Sequence, residues 1–228
     1  MVFPFTQAEP SVIRIRIMAA LLNVQTLTEL KILYSSKDRK YHNLGHVNSL
    51  LELLRQHRGV LADPDAIEAA IWFHDAIYDA KATDNETKSA ELALSRLSST
   101  DPPLDRERVD RICTMIEATA THTVPQFTDA RFVSDAEMFL DMDLSILGAE
   151  EEAFEKYEAA VREEYAWVSQ EGWRKGRSDV LRSFLQRPFI FYSAVFRDGY
   201  EKAARENIAR SLKKLNAAAE AASDTAIL

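Results

Sequence analysis

An all-α fold, a single-domain helical bundle, is what this 228-residue sequence predicts, and three observations carry the prediction. Apolar residues recur at steps of three and four through most of the chain, the period of helices with one buried face. Only six glycines and seven prolines occur, few for the many turns an all-β protein needs. No linker-like stretch separates two cores, and the length suffices for one large one.

The elements follow in chain order. Ser11–Met18 alternates like a strand but has no evident partner, and the surrounding Val12–Leu22 stretch is interrupted by Arg14 and Arg16. That stretch is shorter than the ~20 residues of a membrane span and lacks the charge-then-apolar order of a signal peptide. Leu44, Val47, Leu50, Leu51 and Leu54 form a helical stripe ending near Gly59, placed like a C-cap. Asp63-Pro64 reads as an N-cap with proline in the first turn, opening a helix that carries Ile67, Ala70, Ile71, Phe73, Ile77 and Tyr78. Asp84-Asn85-Glu86 starts another, running to Ser99, and Asp101-Pro102-Pro103 breaks the chain. Further helices are expected over 105–120, 133–147, 150–168, 174–186 and 198–215. Phe189-Ile190-Phe191-Tyr192 is rich in β-formers, again without a partner.

Charge excludes one class of partner. The net charge is −8, with 17 acidic against 6 basic residues over 101–170 and 7 against 11 over 171–228. A nucleic-acid track requires a broad Lys/Arg excess, which is missing; a small phosphate needs only a local basic pocket. The lone Cys113 rules out an intramolecular disulfide and, set among Val109, Ile112 and Ile116, reads as a core residue. With no secretory signal, a cytoplasmic protein is expected. The aromatic run Phe189, Phe191, Tyr192 and Phe196 reads as core, with a homodimer seam as the alternative.

Three polar groups stand out against apolar helices. His42 and His46 lie four residues apart, a spacing that turns both to one cleft on a helix. His74-Asp75 interrupts the apolar segment Trp72–Tyr78, and neighbours ~100° apart on a helix can straddle one ion. Asp141 and Asp143 lie between apolar neighbours, and buried carboxylates are paired or bound to a cation. Imidazoles mixed with carboxylates suit a divalent ion such as Mn, Mg, Fe, Co, Ni or Zn. His57, between Arg55 and Arg58, reads as surface.

The ordered set resembles the HD superfamily of metal-dependent phosphohydrolases, over roughly residues 25 to 215. Tyr41-His42-Asn43-Leu44-Gly45-His46 is similar to the Y-H-N-x-x-H of its cyclic nucleotide phosphodiesterases. The motifs Phe73-His74-Asp75-x-x-Tyr78-Asp79, Asn85-Glu86-x-x-Ser89-Ala90, Phe139-Leu140-Asp141-x-Asp143-Leu144-x-Ile146-Leu147-Gly148, Arg162-x-Glu164-Tyr165 and Trp173-Arg174-x-Gly176-Arg177 resemble a bacterial-type branch of predicted phosphohydrolases. The resemblance implies a helical bundle of HD type with His46, His74, Asp75 and Asp143 holding one divalent ion between helices. It implies a metal-binding core over about 38–148 and C-terminal helices over 149–215 completing the bundle; the Ala-rich tail over 216–228 is expected to fray. It also implies His42 as general acid. Binuclear members carry more histidines than this chain, which offers only His122 as a pocket residue or optional ligand.

The activity so implied is hydrolysis of a phosphate ester or anhydride of a small molecule, nucleotides included, by metal-activated water. Asp79 or Glu86 would accept or orient the water's proton. Arg39, Lys40, Arg162, Arg174 and Arg177 are the candidate phosphate contacts, since guanidinium forks suit phosphate. Two other functions share the pattern: a non-catalytic domain binding metal and nucleotide, and a di-iron oxygenase, which needs more ligands than are present.

Overall fold

The computed structural model describes residues 21–100 and 102–225, with side chains to residue 217. The expected alternation over Ser11–Met18 lies outside these residues. The described residues form helices and connecting turns with no strand: α1 (Val24–Leu33), α2 (Leu44–His57), α3 (Pro64–Phe73), α4 (Asn85–Leu97), α5 (Arg106–Ala118) and α6 (Ala130–Leu144), then α7 (Glu151–Glu164), α8 (Gln170–Leu185), the short α9 (Ala194–Phe196) and α10 (Lys202–Thr225). Short 3-10 turns follow α2 and α6, at Arg58–Val60 and Ser145–Gly148, and a π-helical turn at Arg197–Glu201 joins α9 to α10.

The local reasons are those a helix end requires. The four leading N–H groups of a helix lack partners, and short polar side chains satisfy them. Asn43 accepts from Gly45 N at the start of α2, Asp63 from Ala66 N at α3, Asp105 from Arg108 N at α5 and Ser169 from Gly172 N at α8. α1 was not evident from periodicity; Asn23 caps it, and its C-cap Tyr34 is almost fully buried. α10 continues to Thr225, beyond the expected end at 215, through a run of alanines with high helix propensity.

α3 is the central helix. Ala66, Ile67, Ala69, Ala70, Ile71, Trp72 and Phe73 are all buried, so it is apolar on every side and needs neighbours all round. α1, α2, α4, α5 and α6 pack against it, and the buried apolar side chains of both halves of the chain join in one cluster. Cys113 packs against that cluster with its thiol 3.5 Å from the Ala90 carbonyl, and burial pushes the thiol up to about 11. His57 is only half-buried, its ring 5.4 Å from that of Phe196.

The β-prone segment 189–192 forms no ladder. Its amide groups still need acceptors, and two carboxylates supply them. Glu201 accepts from Ile190 N and Phe191 N, and Asp141 accepts from Tyr192 N, Ser193 N and Ser193 Oγ. Ile190 and Phe191 are thereby buried in a loop. Of the two acids in Asp141-x-Asp143, the first is thus a fastener for this loop, and its burial pushes its carboxyl up to about 6 against the pull of those donors.

Gly148 marks a close approach between the 3-10 turn and the π-helical turn. A Cβ there would lie 2.6 Å from the Tyr200 carbonyl oxygen and 2.7 Å from Tyr200 Cβ. Backbone cannot step aside as a flexible side chain can, so Gly148→Ala is expected to cost about 1–3 kcal/mol in urea denaturation. An unchanged midpoint would show that the two turns separate freely.

Candidate metal centre

α2, α3 and α6 bring three of the singled-out groups to one point. His46 stands in the first turn of α2. Asp143 stands in the last turn of α6, and His74 and Asp75 directly follow α3. The doublet, which the sequence pattern places within a helix, lies just beyond the end of one. α3 ends at Phe73, His74 is its C-cap, and Asp75 begins a turn. Likewise His42 precedes α2 rather than sharing it with His46, yet the two rings remain 6.3 Å apart.

Nε2 of His46 lies 3.1 Å from Nε2 of His74 and 3.0 Å from Asp143 Oδ1. His74 Nε2 lies 3.0 Å from Asp75 Oδ2 and 3.6 Å from Asp143 Oδ1, and His46 Nε2 lies 3.8 Å from Asp75 Oδ2. Two donors each about 2.1 Å from one ion and at right angles are separated by about 3.0 Å, so the spacing suits a common centre. His46, His74 and Asp75 offer donor atoms all within 4.8 Å of one another and form a group that could hold a metal ion.

The tautomer supports this. His74 Nδ1 lies 2.8 Å from the Ile71 carbonyl, which can only accept, so Nδ1 carries the hydrogen and Nε2 faces the cluster with its lone pair when neutral. Two imidazole lone pairs and two carboxylates converging in a buried space require a proton or a cation between them. Burial alone would lower the basicity of His74. The charges of Asp75 and Asp143 outweigh it and hold its imidazolium well above the usual range. Burial likewise opposes ionisation of Asp143, but its bonds to His122, His46 and His74 keep its carboxyl well below the ordinary range. Metal must displace that proton before Nε2 can coordinate. Mn²⁺ uptake by the metal-stripped protein is therefore expected to release protons and to tighten as pH rises through neutrality, followed with an indicator dye. Uptake independent of pH would contradict the assignment.

His122 approaches from the far side, its Nε2 2.9 Å from Asp143 Oδ2. Its φ of 48° is the one positive value at a non-glycine residue among those described. That left-handed backbone is costly for a side-chain-bearing residue and is held here by Arg187 Nη1 and Tyr192 Oη, which both donate to the His122 carbonyl. Strain at this residue aims its imidazole at the outer oxygen of Asp143.

His42 is held by Glu164, at the last position of α7. Glu164 Oε2 lies 2.6 Å from His42 Nδ1 and accepts from Tyr78 Oη, while Oε1 accepts the backbone N–H groups of Lys40, Tyr41 and His42. Burial raises Glu164, but these donors prevail and leave its carboxyl at about 2. An ionised carboxylate only accepts, so His42 Nδ1 carries a hydrogen. His42 also stacks on Tyr78 at 4.3 Å, and despite burial the charges of Asp75 and Glu164 raise its affinity for a second proton. Sequence reading singled out the motif containing Glu164 but gave the role to Arg162.

A cavity of about 820 Å³ opens beside the cluster, and His42, His122, Asp143, Tyr41 and Tyr157 line it. Lys81, Arg177 and Arg187 contribute positive charge to its wall, and Tyr165, Trp167, Trp173 and Phe184 contribute rings. Of the five cations expected to bind phosphate, only Arg177 is in this wall, and it is itself paired with Glu158 and bonded to Tyr157 Oη. The other four need correction. Arg39 is buried and bonds backbone carbonyls. Lys40 is exposed and meets Glu164 only through its amide. Arg162 donates to the carbonyls of Tyr165 and Val168, closing the end of α7, where orphan carbonyls attract a cation. Arg174 lines a separate cavity of about 340 Å³ beside Arg210 and Lys214. Neither proposed water-orienting acid reaches the cluster. Asp79 is exposed and accepts from Lys81 N in a tight turn, and Glu86 occupies the first turn of α4, where the helix dipole favours an acid. Among the cavity cations, Lys81 and Arg187 were missed: Lys81 lies two residues past the motif that ends at Asp79, and Arg187 lies outside every quoted motif.

No helix among the described residues is long and apolar enough to cross a membrane. No protein-family model, curated protein or solved structure matches the chain.

Proposed function

We propose that this chain is a metal-dependent phosphohydrolase of HD type, hydrolysing a phosphate ester or anhydride of a small molecule with one divalent ion per chain. The observation that carries the reading is the placement of His42, with its Glu164 partner, in the same cavity wall as Asp143 and 6.3 Å from His46. A donor cluster alone could be structural; a cluster beside a cavity, with an imidazole next to it whose proton affinity, despite burial, the neighbouring carboxylates raise, is equipped for chemistry. The donor set fits the group, since two imidazoles and two carboxylates suit a borderline divalent ion and His46, His74, Asp75 and Asp143 are the residues that would hold it. Such an ion supplies Lewis-acid polarisation and lowers the pKa of water.

The remaining steps belong to the chain. Glu164 fixes the His42 ring and stabilises its imidazolium, so His42 donates its Nε2 proton to the departing oxygen, a step typically worth ~10²–10⁴-fold. Lys81, Arg177 and Arg187 set the field that admits an anion past the acidic cluster. Asp79 and Glu86 lie off the reaction path and are not assigned the water. His122 holds Asp143 from behind, orienting the carboxylate.

The test is reconstitution with Mn, Mg, Fe, Co, Ni or Zn, followed by a panel of phosphomonoesters, diesters, nucleotides and pyrophosphates. Turnover that falls by ~10²–10⁴-fold in His42→Ala with metal content unchanged supports the reading. No turnover of any of these substrates with any of these metals would leave a binding domain instead, and two irons per chain with an oxygen-sensitive absorption band would point to an oxygenase.

A further inference from the structure

Arg39 lies in the turn between α1 and α2, and only 8% of its surface is exposed. A buried guanidinium must find acceptors for a rigid, planar set of donors. It finds them on backbone: Nη1 donates to the carbonyls of Asp75 at 2.5 Å and His42 at 3.1 Å, and Nη2 donates to that of Ala76 at 2.8 Å. Its ends are therefore fixed to two segments, one carrying His42, three residues on from Arg39, and the other carrying Asp75, 36 residues on. The rings of Tyr34 and Tyr78 flank it, at 5.0 and 5.5 Å from Cζ. Tyr34 Oη also accepts the Asp75 N–H, so the peptide groups on both sides of Asp75 are held.

The need for such a clamp follows from where α3 stops. A helix leaves its last carbonyls without partners, and α3 ends at Phe73, just before the doublet. Asp75 and Ala76 continue as a turn whose carbonyls would otherwise face a buried, apolar setting. The negative end of the α3 dipole adds to the attraction for a cation.

We propose that Arg39 is a positioning residue that sets the geometry of the metal centre and of the His42 proton donor together, by locking the backbone of Asp75 to that of His42. The proposal rests on the metal centre assigned above. It replaces a phosphate-binding role for Arg39, because the guanidinium is buried and three of its N–H donors end on backbone carbonyls. Lysine cannot substitute, since a single ammonium on a flexible stem cannot meet three carbonyls from two segments at planar angles.

The experiment uses the full chain, stripped of metal and titrated with Co²⁺ alone, following the visible absorption of the bound ion. Arg39→Lys is expected to retain wild-type helicity by circular dichroism, to bind Co²⁺ about 10–100-fold more weakly, the loss usual for outer partners of metal ligands, and to shift the absorption band. Arg39→Ala is expected to recover part of that affinity when ethylguanidinium is added, which a general loss of folding would not allow. Unchanged Co²⁺ affinity and an unchanged band in both variants overturn the clamp. So does a fall in affinity for inorganic phosphate on the Co²⁺-loaded protein with Co²⁺ binding intact, which would restore the phosphate-binding role. A wild-type chain that takes up no Co²⁺ overturns the centre as well, so the two failures are told apart.

Discussion

Asp75→Ala is expected to abolish uptake of a divalent ion by the group it shares with His46 and His74 while leaving the helices in place. The Asp75 side chain has no part in the apolar core. It is 15% exposed, and its carboxylate meets His74 Nε2 at 3.0 Å and His46 Nε2 at 3.8 Å. Without it, the group of His46, His74 and Asp75 is reduced to two imidazoles beside Asp143. The affinity lost must exceed the 10–100-fold typical of outer partners, because a coordinating charge is removed outright. Elemental analysis after reconstitution and gel filtration checks the metal, and far-UV circular dichroism checks the fold. Full metal content in the variant would sink the ligand assignment. His74→Ala should lose metal equally but also lose stability, because His74 is fully enclosed, bonds the Ile71 carbonyl and meets the Phe139 ring edge-on at 6.1 Å. The contrast between the two variants separates ligation from packing.

Glu164→Ala is expected to be among the most destabilising single changes in the chain, by about 3–5 kcal/mol, the range seen when one partner of a buried charged network is removed. Five donors end on this carboxylate: the N–H groups of Lys40, Tyr41 and His42, the imidazole of His42 and the hydroxyl of Tyr78. Alanine leaves all five without an acceptor in a buried place. Glu164→Gln keeps the volume but turns an NH₂ group towards one set of donors, so it should lose less stability and more of any activity that depends on a protonated His42. The acid limb has a definite sign. With its folded carboxyl at about 2 against an ordinary 4.5, Glu164 contributes stability above about pH 4.5 that is lost as pH falls towards 2. Urea denaturation across that range should show the wild type losing stability on acidification more steeply than Glu164→Gln. Parallel profiles would mean that the carboxylate is not ionised in the fold.

Local patterns were readable to a depth that matches their range. The stripe from Leu44 to Leu54 became α2, Asp63-Pro64 became the start of α3, and the expected break falls between the end of α4 at Leu97 and the start of α5 at Arg106. The doublet was recognisable because two adjacent polar residues in an apolar run have no inexpensive explanation except a site. That same apolar run concealed the end of α3. Periodicity continues through Ile77, and Arg39, from an earlier turn, supplies the donors for the Asp75 and Ala76 carbonyls beyond Phe73.

The cations show the other limit. Arg39, Arg162, Arg174 and Arg177 all lie near motif residues, yet they point to four different environments: the backbone of the doublet, the end of α7, a separate cavity, and the wall of the main cavity. Long flexible side chains take the direction that burial and partners dictate, and those partners are up to 124 residues away in the Glu164 network alone. Short-range chemistry on its own determined the helical class, most helix starts, and the pairs His42/His46, His74-Asp75 and Asp141/Asp143 as the groups to examine, because period and polarity act within a few residues; the choice of His46, His74, Asp75 and Asp143 among them came from the resemblance to the HD superfamily. Only the tertiary structure decided that Glu164 grips His42, that Arg39 braces the doublet and that Lys81 and Arg187 face the cavity. The free energies that settle those choices come from burying charged groups among segments that meet only when the chain is folded.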